Sequence, residues 1–175
     1  MGIKDGLTGT RPLVKVAAII VFVAQVCNWI AFSTTSWYVV GHTHIGLWRS
    51  CSDIRMGCDS LDGISDDQFN AIQAFAIFGF MSLNIGFLLI LLFMFWGSCR
   101  ANTETAIASA VLLIFAGSAW LISVAIFGAE YDDRVLGADG LDYSYGLAVC
   151  ALILSLIGGL FMLVGGRGHG SDVSQ

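Results

Sequence analysis

Four long runs of almost unbroken apolar residues dominate the chain, and short stretches of clustered polar residues set them apart. The runs cover roughly residues 14–32, 71–96, 105–127 and 145–164. Each offers about 20 residues, enough to cross about 30 Å of hydrocarbon at 1.5 Å per residue. The pattern predicts a membrane α protein: a four-helix transmembrane bundle forming one domain over residues 1–175. Composition agrees, because 57% of the residues are hydrophobic and only 12% charged, about half the charged share of an ordinary soluble domain. The first run follows Lys4, Arg11 and Lys15 and could pass for a cleaved leader. It is longer than the 7–15 apolar residues of such leaders, so it reads as a retained span.

Four spans place the loops 33–70 and 128–144 on one side. Both termini, the short link "GSCRANTE" and the tail 165–175 lie on the other. The tail is Gly-rich and polar, a composition expected to stay disordered. In the first loop, "TTSWYVV" and "HIGLWRSC" have strand character and meet near Gly41 and His42, and Asp53 and Gly57 suit a turn. Two or three short antiparallel strands are expected. Ser65-Asp66-Asp67-Gln68 fits a capping box, so the second helix should begin near Asp66, before the membrane, and brace the sheet.

Inside the spans the main polar residues are Gln25, Asn28, Gln73 and Asn84, and no charge lies near a span centre. That argues against a proton relay or an ion-coupled transporter. Small residues recur at four-residue spacing, at Ser82 and Gly86, Ala106 and Ala110, then Ala151, Ser155 and Gly159, which lets helices approach closely.

Charge adds an orientation. Lys4, Arg11, Lys15, Arg100 and Arg167 share the side of the termini, against Arg49, Arg55 and Arg134 in the loops. The excess of basic residues puts both termini in the cytoplasm. Ten acids then face outside: Asp53, Asp59, Asp62, Asp66 and Asp67 in the first loop, and Glu130, Asp132, Asp133, Asp139 and Asp142 in the second. Such a face is either simply solvated or concentrates cations.

Cys51 and Cys58 lie in the outside loop, where disulfides form and persist. A bridge would close an eight-residue loop, a stabilisation of about 2.5 kcal/mol by chain entropy. A small sheet with almost no core of its own needs such a clip. Trp37 and Trp48 are expected at the base of the sheet, near the headgroups. Cys99, beside Arg100 at the end of the second span, is a candidate for S-palmitoylation. Cys27 and Cys150 read as packing residues. His42 and His44 would share a strand face, but no residue set completes a metal site at standard spacing. Catalytic signatures such as G-x-S-x-G and Gly-rich phosphate loops are absent from the sequence, and no cofactor or nucleic-acid partner is expected.

Trp37, then Gly46-Leu47-Trp48, Cys51 and Cys58 in the first outside loop of a four-span chain resemble the W–GLW–C–C signature of the claudin superfamily. That group comprises claudins, peripheral-myelin and epithelial-membrane proteins, and stargazin-like subunits. The likeness extends over the whole chain, including Cys99 and the "YSYGLAV" opening of the fourth span. It implies a small antiparallel extracellular sheet whose disulfide joins neighbouring strands. Eight residues separate Trp37 from Gly46, fewer than is usual in claudins, and the cysteine spacing is closer to the myelin and epithelial-membrane branch. Gln73 stands where relatives often carry Arg, and the C-terminal "DVSQ" lacks the apolar last residue that scaffolds bind.

The resemblance implies a plasma-membrane structural protein of cell–cell contacts. It would associate with like copies in cis and trans amid membrane lipids, with Asp53 and Asp59 biasing a paracellular path toward cations. The alternative is an auxiliary subunit of an ion channel or receptor. A four-span disulfide oxidase is a poorer match, since it needs a C-x-x-C and a second mobile cysteine pair outside.

Overall fold

A computed structural model of the chain describes residues 9–61, 66–96, 99, 102–132 and 140–166. Lys4, Asp62, Ser65, Arg100, Asp133, Arg134, Asp139 and the tail from residue 167 lie outside the described residues. Among the described residues, four helices are long and apolar enough to cross a membrane. They are α1 (Pro12–Ser33), α2 (Asp67–Phe95), α3 (Thr103–Asp132) and α4 (Tyr143–Gly166).

Local chemistry sets the helix ends. Pro12 opens α1, where its missing N–H is no loss. Asp66 caps α2 by accepting from the N–H of Gln68 at 3.1 Å, with Asp67 in the first turn. The cap is thus Asp66, an acid at the positive end of the helix dipole. Asn102 accepts from Glu104 N–H at 2.9 Å ahead of α3. Asp142 accepts from Tyr143 N–H at 2.7 Å ahead of α4.

At 29 and 30 residues, α2 and α3 are each about 44 Å long, more than a bilayer core requires. Their loop-side turns continue past the apolar span. There Phe69 and Ile72 of α2 and Phe127 of α3 join a cluster with Trp37 and Leu47 from the first loop. Both helices brace the sheet, where only α2 was expected to.

In the bundle α1 packs on α4, α4 on α3 and α3 on α2, while α1 and α2 meet sparsely. Val14, Ala17, Val21, Ala24, Asn28 and Ala31 form the buried stripe of α1, at alternating three- and four-residue spacing. The small residues do the expected work. A Cβ on Gly159 would lie 3.2 Å from the carbonyl of Ala110, and one on Gly158 would lie 2.3 Å from Val21 Cγ2. Ser109 Oγ donates to Gly86 O at 3.0 Å and Ser123 Oγ to Ile72 O at 3.0 Å, tying α3 to α2 through backbone.

The sheet has five antiparallel strands: β1 (Tyr38–Val40), β2 (Thr43–Ile45), β3 (Arg49–Ser52), β4 (Gly57–Ser60) and β5 (Gly140–Leu141), in the order β4-β3-β2-β1-β5. The first loop supplies four strands where two or three were expected. "HIGLWRSC" is not one strand but two, broken at Gly46-Leu47-Trp48. The fifth strand comes from the second loop, pairing Tyr38 with Leu141 and Val39 with Gly140. Gly41 has φ +56 in the two-residue turn joining β1 to β2, a conformation glycine adopts without penalty. His42 sits in that turn rather than on a strand with His44. The β3–β4 turn is Asp53–Met56, so Gly57 is a strand residue and not a turn residue.

Gly158→Leu should force α4 away from α1. Thermal unfolding in detergent should show a loss of about 1–3 kcal/mol. Leu160→Ala, at a position facing out of the bundle, should stay within about 0.5 kcal/mol of the parent.

Candidate functional site

The end of α1 explains the Trp-and-GLW pattern. The last four carbonyls of a helix lack partners within it, and at a membrane surface such groups are costly to leave bare. Ile30 O accepts the Thr34 N–H at 3.1 Å and the Thr34 hydroxyl at 2.6 Å. Ala31 O accepts the indole N–H of Trp37 at 2.8 Å. Phe32 O accepts the indole N–H of Trp48 at 2.9 Å. Two tryptophans that bracket the β1–β2 hairpin therefore fold back onto the same helix terminus.

The rings take different places. Trp37 is fully buried, stacked on Trp120 at 6.1 Å and edge-on to Phe127 at 5.0 Å and Tyr145 at 5.9 Å. This corrects the expectation that it lies among headgroups. Its ring plugs the loop-side end of the bundle, because only there can its N–H reach Ala31. Trp48 is half-buried against Phe32, with ring centroids 5.1 Å apart.

The residues between the tryptophans follow from the same packing. A Cβ on Gly46 would stand 2.6 Å from Thr35 Cα and 2.7 Å from Thr34 O, so backbone must pass backbone there. Leu47 is fully buried, and its carbonyl accepts from Gln73 Nε2 at 2.7 Å. Gln73 is thus the donor with which α2 grips the Gly-Leu-Trp turn. The second loop closes the other side. Asp142 N–H donates to Trp37 O and Ser144 N–H to Ser36 O, each at 3.0 Å, and the hydroxyls of Thr34 and Ser144 share a 2.6 Å bond.

Below this plug the intramembrane polar residues pair up. Trp120 Nε1 donates to Asn28 Oδ1 at 2.9 Å. Asn84 Oδ1 accepts from Gln25 Nε2 and, at 3.2 Å, from Trp29 Nε1. Sequence showed these side chains but not their partners, which lie 55 to 92 positions apart.

Farther from the membrane is the cysteine hairpin. Cys51 and Cys58 face each other across β3 and β4 and are joined by a disulfide. Asp53 and Asp59 flank it, both exposed. Asp53 Oδ2 is 3.7 Å from His44 Nε2 and Asp59 Oδ2 is 3.8 Å from Arg55 Nη1. Exposed pairs at such distances contribute little stability, and Arg55 offsets part of the negative field at Asp59. Ile54 is 75% and Met56 95% exposed at the hairpin tip, an apolar pair the sequence reading passed over. All four residues of β4 are exposed, and no strand flanks its outer side among the described residues. Cys99 is remote from all this, in the turn after α2, its N–H donating to Trp96 O at 3.1 Å.

The structure therefore brings Trp37, Gly46, Leu47 and Trp48 together as an anchor, and Cys51, Asp53, Cys58 and Asp59 together as a presented hairpin. Groups of three or more His, Cys, Asp or Glu that could hold a metal are absent among the described residues. Over residues 12–166 the chain matches the profile of the PMP-22/EMP/MP20/Claudin family. No individual curated protein matches it.

Trp37→Phe deletes the indole N–H and leaves Ala31 O bare. It should lower stability in detergent by at least about 1–3 kcal/mol, the cost of an unsatisfied buried polar group. Trp96→Phe, at a 61% exposed position, should stay within about 0.5 kcal/mol of the parent.

Proposed function

We propose that this chain, which belongs to the PMP-22/EMP/MP20/Claudin family, is a structural protein of cell–cell junctions that forms adhesive, cation-preferring paracellular barriers by self-association. The observation that carries this reading is the outward hairpin. Its disulfide holds β3 and β4 in register, its edge strand β4 is exposed along its length, and its tip presents Ile54 and Met56. An exposed edge is a template for a further strand, which suits side-by-side association of copies in one membrane. An exposed apolar tip on a rigid support suits contact with a facing partner. With the termini cytoplasmic, this face lies outside the plasma membrane. Asp53 and Asp59 there set a negative field that favours cations in a confined path. Cys99, half-buried at the cytoplasmic end of α2, is the proposed site of S-palmitoylation.

A second reading is an auxiliary subunit of an ion channel or receptor. It is favoured by the compact first loop, whose β3–β4 turn spans only Asp53–Met56. Purification in mild detergent separates the two: a stoichiometric channel partner supports the second, and self-association alone supports the first.

Expression in a leaky epithelial monolayer should change transepithelial resistance and raise sodium permeability relative to chloride. Cys51→Ser should abolish both effects. Asp53→Asn with Asp59→Asn should remove the cation preference while leaving surface delivery intact. Unchanged resistance at normal surface levels would contradict the junction reading.

A further inference from the structure

The helix ring has one loose side, where α1 and α2 meet sparsely. Toward the middle of the membrane this seam is held by the Gln25–Asn84 contact and by Phe22 against Phe87, with centroids 6.2 Å apart. On the side of the termini the helices part and leave a groove of about 280 Å³. Ala18, Ile19 and Phe22 line it from α1, and Leu91 and Phe95 from α2. Lys15 is the one charged residue at its wall. Lys15 is the fourth residue of α1, about 5 Å along the helix, and it forms no ion pair among the described residues. From Lys15 to Phe22 the slot runs about 10 Å along α1.

We propose that this groove binds an anionic phospholipid, one acyl chain lying between α1 and α2 and the negative headgroup meeting the Lys15 ammonium. Three features select that occupant. The walls are apolar apart from Lys15, so water has no partners in the slot. Its rim is bulky, with Ile19 65% exposed and Phe22 and Phe95 also exposed. A second helix needs small residues for close approach, whereas a flexible chain fits between large ones. The cation stands at the end of the groove near the helix start, where a lysine stem reaches headgroup level, and Trp96 lies exposed beside Phe95 at the same level. With the termini cytoplasmic, this is the leaflet that carries anionic lipid.

The purified full chain in detergent, offered phosphatidylserine or phosphatidylcholine with identical acyl chains, reports the site through bound lipid counted by native mass spectrometry. Phosphatidylserine should be retained about fivefold more strongly, the factor for one basic residue at an anionic surface. Lys15→Gln should reduce its retention to the phosphatidylcholine level. Ala18→Phe, which fills the slot with Lys15 intact, should abolish retention of both. If Ala18→Phe does not fold, Ile19→Trp closes the same groove from an already exposed position. Equal retention of the two lipids by the parent chain overturns the proposal. So does a serine-lipid preference that survives filling of the slot, which would mark general surface attraction.

Discussion

A helix that ends at the surface of a membrane leaves carbonyls that lipid cannot satisfy, and how α1 meets that constraint determines the arrangement above it. Ala31 O and Phe32 O are taken by the indole N–H groups of Trp37 and Trp48. Each tryptophan brings its own stretch of chain back to the helix, and β1 and β2 run between them. The sheet is thereby fastened to the bundle at two points one residue apart. Gly46 lets the returning backbone pass Thr34 and Thr35, and Leu47 seals the space beneath. The Gly-Leu-Trp triplet is in this sense one device: close approach, apolar seal, helix cap.

With the base anchored, β3 leads on to β4 at the far edge of the sheet. β4 has no buried residue, so its position depends on the ladder to β3 and on the covalent link between Cys51 and Cys58. The two parts of the sheet assembly are stabilised by different physics. The inner part rests on aromatic burial and satisfied carbonyls, and the outer part on a cross-link. That division leaves an edge and a tip exposed without loosening the anchor.

Much of the fold was legible in the sequence because its strongest signals are local. Twenty apolar residues in a row mark a span wherever they occur, and small residues at four-residue spacing mark a close helix contact. The strands were legible only in part. β5 is two residues long and exists because Val39 and Tyr38 offer it an edge, so nothing in "GL" itself announces it. Trp37 was misplaced because an aromatic residue at a span end reads equally as a headgroup anchor or a bundle plug. Only the position of Ala31 O and the rings of Trp120 and Phe127 decide between them. The Asn28–Trp120 and Gln25–Asn84 pairs were visible as residues but not as pairs, since side-chain pairing between spans is a property of helix rotation. Likewise the Arg55–Asp59 contact depends on the tight β3–β4 turn.

The central claim is that the two signature indoles are engaged as helix caps. Hydrogen exchange of the tryptophan indole N–H groups, followed by nuclear magnetic resonance on the isotope-labelled chain in micelles, tests it most directly. Trp37 should exchange as slowly as the buried Trp120, and Trp48 should also be protected, while Trp96 exchanges freely. Exchange of Trp37 and Trp48 as fast as that of Trp96 would contradict the account.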